Sequence, residues 1–143
     1  MTSFSVEPVV EHAELRAALY ELVGRFLTDY ERSANRHGLS LTQARMLAFA
    51  ASEPLSQRRL ARRFGCDPSN ISVLVDRLAE RELVERRPDP HDARVKLIVA
   101  TEAGRDLAIR CCHDREWLGP ALDGLAPEQL ETVREALRLL VDS

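Results

Sequence analysis

Between residues 56 and 96 the apolar pattern changes from the three-and-four spacing of helices to the alternation of strands, and the rest of the chain reads as scaffolding for that stretch. Residues 57–64 put Leu60, Ala61 and Phe64 on one helical face, beside two basic rows, Arg58 with Arg62 and Arg59 with Arg63. Gly65 ends that helix. Asp67 is placed to cap the next one, since its carboxylate can accept first-turn amides, and Pro68 stands at the first helical position, where no amide is missed. Ile71, Leu74, Val75 and Leu78 form its apolar stripe. Opposite, at roughly 100° per residue, lie Ser69, Val73, Asp76 and Glu80, flanked by Asn70, Ser72 and Arg77.

On that face the small polar residues come first and the acids later. A phosphate-lined groove tolerates the first two turns and repels Asp76 and Glu80, so the helix is expected to enter a groove by its N-terminal end. Past Leu83 the period becomes extended. Residues 83–87 and 95–100 read as two strands joined by a loop over residues 88–94. Asp92 and Arg94 are two apart, so in an extended segment they point the same way and the carboxylate can orient the guanidinium. Arginine is the side chain that enters a narrow, negative minor groove.

Residues 67–107, DPSNISVLVDRLAERELVERRPDPHDARVKLIVATEAGRDL, closely resemble the winged helix-turn-helix core of the MarR family of bacterial transcription regulators. The resemblance is carried by Leu74-Val75-Asp76-Arg77-Leu78, by Glu85-Arg86, by the wing Asp89-Pro90-His91-Asp92-Ala93-Arg94, and by Thr101-Glu102-Ala103-Gly104-Arg105. Weaker likeness runs through Leu41-Thr42-Gln43-Ala44-Arg45 and Leu60-Ala61-Arg62-Arg63. One position departs. Where such sequences usually carry Gly after the recognition helix, this chain has Glu82, which must take a left-handed turn or end the helix differently.

The fold expected is mainly α with a small β-hairpin wing: a winged helix-turn-helix DNA-binding region over residues 41–100 within a single domain, 1–143, and a helical dimerisation region from 9–36 and 102–142. After a frayed tail through Pro8, a long helix is expected from Val9 to about Arg36, with Leu15, Leu19, Leu22, Phe26 and Tyr30 at spacings of three and four and Ala18, Val23 and Leu27 widening the stripe. The surplus points to a partner helix. Thr42 is read as the cap of a helix to about Ala51, Ser56 as the cap of the next, and Thr101 as the cap of one running to about Leu118, where Gly119-Pro120 breaks it. Pro127 opens a last helix with Leu130, Val133, Leu137, Leu140 and Val141.

The net charge of −3 taken alone argues against a nucleic-acid binder, yet residues 56–96 carry ten Arg and Lys against seven Asp and Glu, and the remainder ten against sixteen. The middle is basic and the ends acidic. No apolar run approaches the roughly 20 residues a membrane helix needs, and no secretory signal is read around Glu7 and Glu11, so a cytoplasmic protein is expected. Cys66, Cys111 and Cys112 form no disulfide framework. Cys111-Cys112-His113 holds metal-ligand types, but adjacent positions on a helix fan outwards and cannot close a site alone. His12, His37 and His91 show no catalytic spacing, and there is no phosphate loop. Neither an enzyme nor a cofactor is expected.

The residues assigned to DNA are Arg58, Arg62, Ser69, Asn70, Ser72, Arg77, Asp92 and Arg94. The resemblance implies a homodimeric repressor or other regulator on a pseudo-palindromic double-stranded operator, with each recognition helix in a major groove and each wing in the flanking minor groove. It also implies a small effector, often an aromatic acid or phenol, bound between the dimer base and the DNA-binding region; Tyr30, His37, Arg45, Met46 and Trp117 are the candidates. Two alternatives stand beside it: a thiol sensor using Cys66 or Cys111, and a winged-helix module that binds only protein.

Overall fold

The computed structural model describes residues 12–143. The elements follow in the order α1 (Ala13–Arg36), α2 (Leu41–Ser52), β1 (Leu55–Ser56), α3 (Gln57–Phe64), α4 (Pro68–Glu80), β2 (Val84–Pro88), β3 (Lys96–Ala100), α5 (Glu102–His113), α6 (Leu118–Asp123) and α7 (Pro127–Val141). The tail through Pro8 and the expected helix start at Val9 lie outside the described residues. The described residues form two compact units, Tyr30–Arg115 and residues 12–29 with Glu116–Ser143.

In the unit Tyr30–Arg115, the helical stripes read from the sequence close on one core. Leu47, Leu55, Leu60, Ile71, Val75 and Leu78 are fully buried and Ile98 nearly so, each contributing about 1.5–3 kcal/mol relative to exposure. Leu74 is only half-buried, at the edge of its stripe. Ser40, not Thr42, caps α2: its hydroxyl accepts from the Gln43 amide at 3.1 Å while the Gln43 side chain accepts from the Ser40 amide at 2.9 Å, a reciprocal pair that satisfies two free amides. Ser56 caps α3 as expected, accepting from the Arg59 amide at 3.2 Å. Gly65 ends α3 with a φ of 62°, a conformation in which a Cβ would be strained.

The sheet has three strands, not two. In the order β1-β3-β2 both pairings are antiparallel, with Leu55 opposite Ile98 and Arg86 also opposite Ile98 from the other side. β1 is too short to show alternation in sequence; it exists because the free edge of β3 offers it hydrogen bonds. The turn between α4 and β2 takes the left-handed route, with Glu82 at a φ of 57°. Thr101 secures it. Its hydroxyl donates to the Glu82 carbonyl at 2.7 Å, its amide donates to the Leu83 carbonyl at 3.0 Å, and the same hydroxyl caps α5 at the Gly104 amide at 3.0 Å. Gly104 lies so close that a Cβ there would collide with the Leu83 carbonyl.

α5 stops at His113, short of the expected Leu118. Asp114 there meets His37, whose Nε2 lies 2.7 Å from its carboxylate, while the Arg36 guanidinium donates to its carbonyl. Buried Ser33 donates to the Cys111 carbonyl at 2.8 Å, fixing α1 to the same end of α5.

In the other unit, buried Asp29 accepts from the amides of Glu116 (3.0 Å), Trp117 (3.2 Å) and Leu118 (3.1 Å), so its carboxylate satisfies the start of α6. Pro127 opens α7 as expected. Leu15, Leu22, Val23, Leu27, Val133, Leu137 and Leu140 are all exposed in the single chain.

Candidate nucleic-acid interface

The basic residues of α3 separate into two sets. Glu53, at the end of α2, accepts from Arg63 at 2.6 Å and lies 3.7 Å from Arg59. Among the described residues Arg58 and Arg62 have no carboxylate partner, nor has Arg77 on α4. Arg58 and Arg62 line a cleft completed by Cys66, Asp67, Pro68 and Asn70, where the end of α3 meets the start of α4. Such free cations beside a helix N-terminus suit a phosphate.

Asp67 occupies the cap position of α4 with extended backbone, but its carboxylate makes no capping bond. That corrects the expectation for its side chain, and it leaves the first turn of α4 without a side-chain cap. Ser69 and Asn70 are exposed on this turn, and Ser72 is half-buried. Gln57 braces the turn from α3, its side-chain amide donating to the Pro68 carbonyl at 2.7 Å. At the far end of the helix, Arg81 donates to the carbonyls of Gly38 (2.8 Å) and His37 (3.3 Å). The exposed face of α4 therefore presents small polar groups first and acids last, as its sequence order implied.

Asp76, one of those acids, accepts from Arg86 of β2 at 2.6 Å. Neither partner of this pair was among the expected site residues, because the two meet only once the sheet packs beside the helix. The same holds for Glu53. Nothing in the local spacing of either acid marks it.

At the wing tip Arg94 is 91% exposed and held by Asp92 through two side-chain bonds, Nε to Oδ1 at 3.0 Å and Nη2 to Oδ2 at 3.1 Å. The route differs from the extended segment expected. Residues 92–95 form a turn in which the Val95 amide donates to the Asp92 carbonyl at 2.9 Å and the Arg94 amide to the Asp92 carboxylate at 3.1 Å. The side-chain bond from the guanidinium, helped by that amide, holds the Asp92 carboxyl below the usual carboxylate range.

The residues considered for a ligand engage separate partners. Tyr30 is buried beneath the Arg115 guanidinium, 4.1 Å from its ring centre, and burial raises its hydroxyl pKa. Arg45 stacks 5.1 Å from the Phe64 ring, Met46 is fully buried, His37 pairs with Asp114, and Trp117 gives its amide to Asp29. Of the thiols, Cys111 is buried, which pushes its pKa up, while Cys112 is exposed and Cys66 half-buried.

Known proteins place this arrangement. A model of the MarR family matches residues 37–95, the stretch from the α1–α2 turn to the wing. The transcriptional repressor NicR of Pseudomonas putida is 32% identical over 93 residues, which span 63% of this chain and 58% of that protein. CouR of Rhodococcus jostii RHA1, solved bound to p-coumaroyl-CoA, is 32% identical with a TM-score of 0.71, covering 90% of this chain and 92% of that one. A MarR family transcriptional regulator of Rhodococcus sp. RHA1 is also 32% identical, with a TM-score of 0.69 over 89% of this chain and 93% of its own. With its helix-turn-helix, its arginine-tipped wing and that likeness along nearly its whole length, the chain belongs to the MarR family of transcriptional regulators.

Proposed function

We propose that the protein is a homodimeric repressor that binds a pseudo-palindromic double-stranded DNA operator and is not an enzyme. The observation that carries the reading is the exposed first turn of α4, without a side-chain cap and bearing Ser69 and Asn70, flanked by Arg58 and Arg62, which have no carboxylate partner among the described residues. In it, Arg58, Arg62 and Arg77 meet phosphates, Ser69, Asn70 and Ser72 reach base edges, and Arg94, steered by Asp92, enters the minor groove. The exposed apolar residues of α1 and α7 support dimerisation, since each gains from burial against a second copy. Among the described residues no helix is long and apolar enough to cross a membrane.

A small aromatic effector acting through Tyr30, His37, Arg45, Met46 or Trp117 extends the proposal, supported by the p-coumaroyl-CoA held by CouR. Met46 must be uncovered for it to take part, since it is fully buried.

Footprinting on DNA upstream of the protein's own gene tests the reading. Two protected half-sites about 10 bp apart centre to centre, or a multiple of that, are expected. Protection of a single asymmetric half-site would overturn the dimeric mode, and salt-independent or absent binding would overturn DNA recognition itself.

A further inference from the structure

Four arginines stand on α3, and the fold gives them two different fates. Glu53 is fixed on both sides along the chain: its amide donates to the Phe49 carbonyl at 3.2 Å, closing α2, and two residues later Leu55 pairs with Ile98 of β3. From there its carboxylate accepts from Arg63 at 2.6 Å and lies 3.7 Å from Arg59. Arg63 is held a second time, its guanidinium 4.9 Å from the centre of the Phe49 ring. Phe49 in turn meets Phe64 edge-on at 5.6 Å, and Arg45 covers Phe64 at 5.1 Å. Arg58 and Arg62, rotated about 100° on the same helix, have no such partner among the described residues.

We propose that Glu53 limits how many backbone phosphates the protein engages, holding Arg63 firmly and Arg59 less firmly so that only the Arg58–Arg62 row of α3 is free for DNA. The inference rests on the DNA-binding reading above. Each arginine that neutralises a phosphate releases counterions and steepens the dependence of log K on log salt by roughly 0.9. That gain is the same for every sequence. Withholding two cations therefore weakens operator and random DNA by the same factor and makes both less salt-dependent, leaving the ratio between them to the base contacts. An arginine that leaves Glu53 also strands a carboxylate beside the DNA, so the pair acts as a neutral unit.

The experiment measures affinity of the full chain for a random-sequence duplex and for its own upstream DNA across a salt series. Glu53→Gln removes the charge at constant shape. It should steepen the salt slope by about one per released arginine, up to about two per subunit, and tighten operator and random DNA alike about tenfold for each added contact near 0.1 M salt. Arg63→Ala should leave the parent's slope unchanged, yet cancel Arg63's share of the gain in Glu53→Gln, and adding Arg59→Ala should return that variant to the parental slope. Glu102→Gln, which removes an exposed acid with no arginine partner among the described residues, should move the slope far less.

An unchanged slope in Glu53→Gln overturns the proposal. So does an equal gain in Glu102→Gln, which would make overall charge the cause. A shallower slope in Arg63→Ala alone also overturns it, because Arg63 would then already be touching DNA; this variant decides the matter even if Glu53→Gln folds poorly. A parent that binds no duplex at low salt would remove the DNA-binding reading itself, whereas a binding parent with an unchanged Glu53→Gln removes only this inference.

Discussion

The Arg86 guanidinium on β2 donates to the Asp76 carboxylate on α4 at 2.6 Å, joining the wing strand to the exposed face of the helix that precedes it. The pair is partly solvated, so it contributes only about 0.2–1 kcal/mol to folding. Its larger effect is on charge, because an unpaired Asp76 would repel phosphates. Arg86→Ala should therefore weaken binding to operator and random DNA alike with little change in melting temperature, and adding Asp76→Ala should recover most of the loss. Affinity titrations and thermal melts of the three variants check this; no recovery in the double variant would mean that Arg86 itself contacts DNA.

Positioning and reading should separate within the interface. Arg58→Ala, Arg62→Ala or Arg77→Ala should weaken all sequences similarly and lower the salt slope by about one per lost contact in each subunit. Asn70→Ala should instead cost about 1–3 kcal/mol on the operator only. Competition between operator and random duplex at several salt concentrations distinguishes the two patterns. If Asn70→Ala weakened random DNA as much as the operator, the first turn of α4 would be a phosphate contact.

Arg94→Ala should hurt A/T-rich flanks more than G/C-rich ones, because the narrower groove carries the stronger negative potential. Asp92→Ala should give a milder copy, as the guanidinium keeps its charge and loses its guide. Equal affinity of parent and Arg94→Ala on every flank would put the wing outside the groove. The pairing also sets a pH dependence. Since Arg94 holds the Asp92 carboxyl below its ordinary value of 3.8, the order that the pair lends the wing is fully present above that value and is lost as pH falls through the lower folded-state value. Wing geometry should be constant across neutral and mildly acidic pH, which carboxyl-carbon NMR of Asp92 can follow.

Gly104→Ala should destabilise the fold by about 1–3 kcal/mol or more, because the added methyl meets the backbone carbonyl of Leu83 and not a movable side chain. Urea denaturation measures the loss. Unchanged stability would mean that α5 can shift away from the turn at Leu83 without cost.

Leu137, exposed on α7 of the single chain, should be covered in a dimer, and Leu137→Asp should then dissociate or unfold the protein. Sedimentation across a range of concentrations reads this directly. A Leu137→Asp variant that remained a folded dimer would place the interface elsewhere.

What the amino-acid sequence determined by itself was short-range. Gly65 at a positive φ, Pro68 opening α4, the strained Glu82 after the helix, and the Asp92–Arg94 pair two residues apart all follow from chemistry confined to a few neighbouring residues. The Ser40–Gln43 capping box is equally local, yet the cap expected was Thr42, which lies inside the helix, because two neighbouring hydroxyl residues both suit a cap and only the backbone path decides between them. Tertiary structure decided the rest, because the deciding partner was distant in the chain. Apolar spacing runs on past His113, and α5 nonetheless stops there: Asp114 is engaged by His37 and Arg36, and Asp29 takes the amides of residues 116–118. β1 carries no periodic signal in two residues and forms only because β3 has an edge to offer. The four arginines of α3 are alike in sequence, and only packing sets Glu53 beside two of them and leaves the other two to solvent.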